Sequence, residues 1–152
     1  MIRTANKNDL EAILEIENKM FNEKIYFRLI REDISKLLNK KSTRFFLAIN
    51  EQNQVVGYSL GIDINKRGIW FNSLAVLKEY QNGIYAKELF LQIENSAKEQ
   101  NFDSVILEIR QDNRALLRRY KNMGYQIWKN IENYYPDGVG AYRMFKCLNN
   151  KS

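Results

Sequence analysis

Ile69-Trp70-Phe71-Asn72-Ser73-Leu74-Ala75-Val76-Leu77-Lys78-Glu79-Tyr80-Gln81-Asn82-Gly83-Ile84-Tyr85-Ala86-Lys87-Glu88-Leu89-Phe90 carries three patterns in succession. Ile69–Leu77 is rich in β-formers and reads as a strand. Lys78–Gly83 is a polar turn. From about Ile84 to Gln100, the residues Ala86, Leu89, Phe90, Ile93 and Ala97 recur at helical spacing and line one face. A helix that starts directly after a Gly-containing turn offers unpaired backbone N–H groups and a positive dipole end, which favour phosphate. Many strand–turn–helix connections look alike and bind nothing, so this stretch alone leaves both readings open.

Working outward, the chain opens with a short strand, Met1–Ala5. A helix follows, N-capped by Asn6, with Leu10, Ile13, Leu14 and Met20 on its inner stripe. The spacing predicts a second helix over Phe27–Leu38. Arg44–Asn50 and Gln54–Asn65 are β-rich runs separated by Glu51-Gln52-Asn53, the pattern of a hairpin. Downstream, Ser104–Arg110 predicts a strand and Asn113–Met123 a helix, with Gly124 where a helix C-terminus prefers glycine. Tyr125–Asn130 and Ala141–Leu148 predict two last strands around a turn at Asn133–Gly138. The order β-α-α-β-β-β-α-β-α-β-β implies an α/β (α+β) fold, a mixed sheet covered by helices.

The chain has 152 residues, 45% hydrophobic and 28% charged, which suits one domain over 1–152. No apolar run approaches membrane-spanning length, and the N-terminal stretch shows no secretory pattern. Cys147 stands alone, so no internal disulfide forms and the cytoplasm is the expected compartment. Histidine is absent, which excludes imidazole-based triads and His-ligated metals, and no metal is expected. Proton transfer must run through carboxylates, tyrosines, lysines or water. The net charge of +6 favours an anionic partner, such as a phosphorylated cofactor. Nucleic acid is motivated by charge alone.

Ser73–Leu89 resembles the cofactor motif of the GNAT acetyltransferase family, a strand followed by Q/R-x-x-G-x-G/A at the head of a helix. Gln81 takes the first motif position and Ala86 the last, while Ile84 stands where the middle glycine is usual. Asn82-Gly83 is expected to supply conformational freedom just upstream. Leu107-Glu108-Ile109-Arg110, Asn113, Tyr120 and Gly124-Tyr125 follow L-E-V-R-x-x-N-x-x-A-x-x-L-Y-x-x-x-G-F. That pattern is similar to the ribosomal-protein alanine and N-terminal acetyltransferase branch. Tyr134-Tyr135-Pro136-Asp137-Gly138 and Ala141-Tyr142-Arg143-Met144 resemble the branch's C-terminal stretch, with Val139-Gly140 in place of its Glu-Asp pair. Ile2–Leu10 and Glu17–Phe21 fit the same branch. The resemblance covers nearly the whole chain and implies a GNAT-like, mostly antiparallel sheet with helices on both faces.

The resemblance further implies acetyl-CoA as co-substrate and Glu108 as general base acting through water. Tyr120 would be the general acid toward the departing thiolate. Leu74, Ala75 and Val76 would hold the acyl and pantetheine portion through backbone groups, and Gln81, Asn82, Gly83, Ile84, Tyr85 and Ala86 its pyrophosphate. Asn113 would reach the pantetheine arm; as a plain residue it is equally an N-cap. Tyr26, Tyr134 and Tyr135 would meet the acceptor, or else pack as hinge residues. Read as residues alone, Glu108 could pair with Arg110 on the same strand face, and Tyr120 could be a core aromatic beside Leu116, Leu117 and Met123.

The implied acceptor is the α-amine of a protein or peptide. An α-amine titrates near 8 and a lysine near 10.4, so deprotonation is easier by roughly 3.3 kcal/mol for the former. A small amine or lysine side chain is the alternative acceptor, prompted by Val139-Gly140. A non-catalytic CoA-binding module is another, prompted by Ile84. Oligomeric state is not legible.

Overall fold

The computed structural model describes residues 1–65 and 67–148. Positions 149–152 of the expected domain lie outside the described residues. Thirteen elements alternate as β1 (Ile2–Thr4), a 3-10 turn (Lys7–Asp9), α1 (Leu10–Met20), α2 (Arg31–Leu38), β2 (Thr43–Ile49), β3 (Val55–Asp63), β4 (Gly68–Val76), a 3-10 turn (Lys78–Tyr80), α3 (Tyr85–Glu99), β5 (Ser104–Arg110), α4 (Arg114–Asn122), β6 (Gln126–Ile131) and β7 (Ala141–Cys147). The strands form one seven-stranded sheet in the order β1-β2-β3-β4-β5-β7-β6. Every neighbouring pair is antiparallel except β4 and β5.

Period-two alternation sends neighbouring side chains to two separate cores. On β2, Phe45, Leu47 and Ile49 join Ile13 and Ile16 of α1 and Ile34 of α2, while Phe46 and Ala48 face the other way. There they meet Leu89, Phe90, Ile93 and Ala97 of α3 together with Phe71, Val105, Leu107 and Met144. A sheet buried on both faces has little room for polar side chains, so β2 is apolar along almost its whole length. The edge strand β6 is the opposite case: five of its six residues are exposed, Lys129 among them.

The local signals at the helix ends hold. Asn6 caps through a reciprocal box with Asp9, whose carboxylate also receives Arg3. Gly124 adopts φ +97 directly after α4, a conformation that favours glycine.

One expected element is shorter. The helix predicted over Phe27–Leu38 begins only at Arg31, and residues 27–30 are not helical. Two carboxylates claim this backbone instead: Leu29 N–H donates to Glu17 at 2.7 Å and Ile30 N–H to Asp33 at 3.1 Å. Asp33 lies in α2 and bonds Ile30 at that helix's N-cap, whereas Glu17 reaches over from α1, a bond periodicity could not register. The non-helical segment becomes a wall of a cavity.

Candidate active site

The register of β4 on β5 creates the site. Gly68, Ile69 and Trp70 pair with Ser104, Val105 and Ile106, and then the parallel ladder stops. Both strands continue, so their C-terminal halves splay apart. Nearby, β4 carries a bulge against β3, where Leu60 faces Ser73 and Gly61 faces Phe71. A cavity of about 380 Å³ opens in the gap, with residues 70–74 on one wall and 107–110 on the other. Glu17, Tyr26, Phe27 and Leu29 close it from the first helical layer, Asn113, Leu116 and Tyr120 from α4, and Tyr134 and Tyr135 from the β6–β7 turn.

Glu108 lies on the face of β5 opposite the buried Leu107 and Ile109. It does not pair with Arg110. One oxygen accepts the Trp70 indole N–H at 2.8 Å and the other accepts Arg143 Nε at 3.0 Å. Arg143 is its direct cross-strand partner on β7. The side chain is 8% exposed, held at the cavity wall rather than sunk in the core.

Arg110 is drawn elsewhere. Its guanidinium binds Asp112 and Asp137 through paired contacts and donates to the Ile25 carbonyl at 2.6 Å. It also lies over the rings of Tyr26 and Tyr135, at 5.3 and 5.0 Å from their centroids. A single cation at the end of β5 thus joins the α1–α2 connection to the β6–β7 turn. Tyr26 meets Tyr135 edge-on at 5.8 Å, and Phe27 meets Tyr134 edge-on at 5.5 Å, completing an aromatic rim. Burial raises the phenols of Tyr26, Tyr134 and Tyr135 above their ordinary range.

The Arg110 clamp has a pH signature. Arg110 beside Asp137 holds that carboxyl below its ordinary value, so its contribution is complete above the unfolded value near 4 and is lost as pH falls through the lower folded value. The melting temperature of the parent should drop on acidification below about pH 4, and Asp137→Asn should flatten that drop. Thermal melts from neutral to strongly acidic pH check this.

Tyr120 projects from α4 toward the same cavity, 9% exposed. Its ring packs against Phe90 and Tyr125, at 5.3 and 5.6 Å. Among the described residues its hydroxyl has no hydrogen-bond partner. Burial pushes the phenol up to about 12, with Arg119 opposing weakly, so the proton stays on at neutral pH.

The model of the acetyltransferase (GNAT) family matches residues 10–125. The chain belongs to the GNAT acetyltransferase family. It is 28% identical to the N-alpha-acetyltransferase of Saccharolobus solfataricus over 97% of this chain and 92% of that protein. It is 26% identical to the ribosomal-protein-bS18 alanine N-acetyltransferase of Haemophilus ducreyi, over 93% and 92%. The crystal structure of Ard1 from Thermoplasma volcanium superposes with a TM-score of 0.86 at 25% identity, covering 99% of this chain and 98% of that one.

GNAT acetyltransferases use acetyl-CoA as co-substrate. The second half of β4, past Trp70, has no ladder partner on its β5 side, so its backbone can pair with an extended arm. The first turn of α3 carries no side-chain cap, so its N–H groups can receive an anion. Gln81 ties this turn to the strand by donating to the Val76 carbonyl at 3.0 Å.

The cavity gathers Glu108, Tyr120, Asn113, Leu74, Tyr26, Tyr134 and Tyr135 from among the sequence-predicted site residues of this GNAT acetyltransferase. It does not gather Ala75, Val76 or Gln81–Ala86. Ala75 and Val76 turn their side chains into the two cores, and Gln81–Ile84 is an exposed turn beyond the mouth. The expected freedom at Asn82-Gly83 is not used, because no residue from Gln81 to Ala86 has positive φ. Ile84 has φ −85 and points to solvent, 64% exposed, so its branched side chain meets no strain in this turn. Asn113 is an N-cap, its side chain accepting from Leu116 N–H at 3.1 Å while still facing the cavity.

Of Val139-Gly140, the departure from the branch pattern, Gly140 has a packing reason. A Cβ on Gly140 would stand 2.8 Å from the Ile131 carbonyl, so the turn requires glycine there.

Sequence reasoning missed Trp70, Arg143, Ser73, Phe27 and Glu17. Trp70 and Arg143 become partners of Glu108 only through strand register. Glu17 carried a readable signal, a carboxylate four residues after Ile13 on the apolar stripe of α1.

Proposed function

We propose that this GNAT acetyltransferase transfers the acetyl group of acetyl-CoA directly to the N-terminal α-amine of a protein or peptide, without a covalent enzyme intermediate. The observation that carries it is the presence of Glu108 and Tyr120, a carboxylate and a protonated phenol, on one cavity between splayed strands. Relatives named for α-amine and ribosomal-protein alanine acetylation, matched over nearly the whole chain, support the choice of acceptor.

In this reading acetyl-CoA supplies a reactive thioester. The side of β4 past Trp70 that faces away from β3 aligns the arm near Leu74 and Ala75, and the Gln81–Ala86 turn with the first turn of α3 receives its phosphates. Glu108, held by Trp70 and Arg143, accepts a proton from the amine through water. Tyr120 gives its hydroxyl proton to the sulfur as the thiol departs. Tyr26, Tyr134 and Tyr135 flank the entering chain end, and Asn113 steadies the arm from the head of α4. The lone Cys147 fits action in the cytoplasm.

The test is incubation with acetyl-CoA and a panel of N-terminal peptides, Nα-blocked lysine peptides and polyamines, read by thiol release and mass. N-terminal peptides are expected to react at least tenfold faster at pH 7.5 than blocked lysine peptides, following their lower amine pKa. Exclusive reaction of polyamines or lysines overturns the acceptor; silence on every amine overturns the activity.

A further inference from the structure

The acceptor side of the cavity holds a second carboxylate that the reaction just described does not use. Glu17 is 1% exposed on α1. One of its oxygens receives the Leu29 N–H at 2.7 Å, and the other receives the hydroxyl of Tyr58. Tyr58, wholly buried on β3, contacts Ser73 Oγ at 2.8 Å. Ser73 lies on β4 at the cavity wall. It emerges on the sheet face that carries the α1–α2 core, since Ala75 two residues on packs there with Tyr58.

The Tyr58–Ser73 contact allows either group to donate, and the charge on Glu17 sets its direction. With Glu17 ionised the carboxylate only accepts, so Tyr58 donates to it and accepts from Ser73. Ser73 then spends its own proton inward, and the lone pairs it turns to the cavity can only accept. A buried carboxylate is costly without a compensating positive partner. Burial raises the Glu17 carboxyl above its ordinary value, while the Tyr58 hydroxyl, the Leu29 N–H and Arg28, itself paired with Glu23, favour the charged form. The wall therefore offers a hydrogen-bond acceptor backed by negative charge, the complement of a primary ammonium.

We propose that Ser73 binds the acceptor's amino group on the β4 side of the cavity, facing Glu108 across the gap, with Tyr58 and Glu17 as positioning residues that act through it. This rests on the amine-acetylating activity proposed above. It goes further by naming where the amine is held before Glu108 takes its proton.

The experiment is steady-state kinetics on the full chain with a peptide that carries a free N-terminal amine and that the parent acetylates, varying peptide and acetyl-CoA separately. Ser73→Ala should raise the peptide KM about tenfold, the scale of one hydrogen bond to a charged group, and leave the acetyl-CoA KM within about twofold. Ser73→Thr, which keeps the hydroxyl, should restore the peptide KM to within about threefold of the parent. Tyr58→Phe should repeat the Ser73→Ala loss although Ser73 is intact. Should Tyr58→Phe fail to fold, the alanine and threonine pair decides. An unchanged peptide KM in Ser73→Ala, an equal rise in both KM values, or no rescue by threonine overturns the assignment while the activity stands. A parent that acetylates no amine removes the activity itself and this inference with it.

Discussion

Glu108→Gln should lower kcat by about 10²–10⁴-fold while acetyl-CoA binding stays within about threefold of the parent. The substitution keeps the shape of the side chain and removes its ability to take a proton. Gln retains a carbonyl oxygen for the Trp70 indole, so its placement on the cavity wall is preserved. What it loses on the other side is the Arg143 pair. Arg143 is 31% exposed and keeps access to water, so the stability cost is about 1 kcal/mol or less. A large loss of turnover with a small loss of melting temperature therefore separates a proton acceptor from a structural ion pair. Equal kcat in parent and variant would remove Glu108 from the chemistry. Calorimetry with CoA, thermal melts and kcat at saturating acetyl-CoA make the comparison.

Tyr120→Phe should reduce kcat by about 10²-fold or more with little change in melting temperature. The ring supplies the packing, against Phe90 and Tyr125, and Phe retains it. The hydroxyl has no partner among the described residues, so deleting it breaks no bond within the fold. A purely structural tyrosine would then be nearly silent in both assays. Two controls sharpen the outcome. An acyl donor whose thiol is more acidic needs less help in leaving, so the defect should shrink with it. Because burial pushes the Tyr120 phenol up to about 12, the acid form persists as pH rises through the working range, and any descending limb below about pH 11 must come from another group. A defect independent of the leaving group would sink the acid role.

Much of the architecture was legible because it depends on local periodicity. Ala86, Leu89, Phe90, Ile93 and Ala97 mark one face of α3 by spacing alone; all but the partly buried Ala86 are buried, and the spacing did not announce the buried Glu94 beside them. Asn6, Asn113 and Gly124 announced helix ends through backbone needs that any chain has at those points. The failure at Phe27–Ile30 has the converse cause. Its apolar residues fit a helical stripe, but Glu17 of α1 takes the Leu29 N–H, and Asp33 bonds Ile30 as the N-cap of a helix that starts at Arg31.

The site divides along the same line. Glu108, Asn113 and Tyr120 were identifiable from motif spacing, whereas the identity of the Glu108 partner was not. Its same-strand neighbour Arg110 is engaged by Asp112, Asp137 and Ile25, and the β5–β7 register delivers Arg143 instead. Likewise nothing in the order of residues says that β4 and β5 pair for three positions and then part.

From its own letters, then, this chain determined the order of its strands and helices, because hydrophobic spacing and capping act over a few residues, and its motif stretches carried the resemblance to the family that the family model shows. Tertiary structure alone decided which charges meet, where the parallel ladder ends, and that Glu17, Tyr58 and Ser73 line up toward the cavity. Those contacts join residues 15 to 41 positions apart, and their energies exist only once the sheet has set its register.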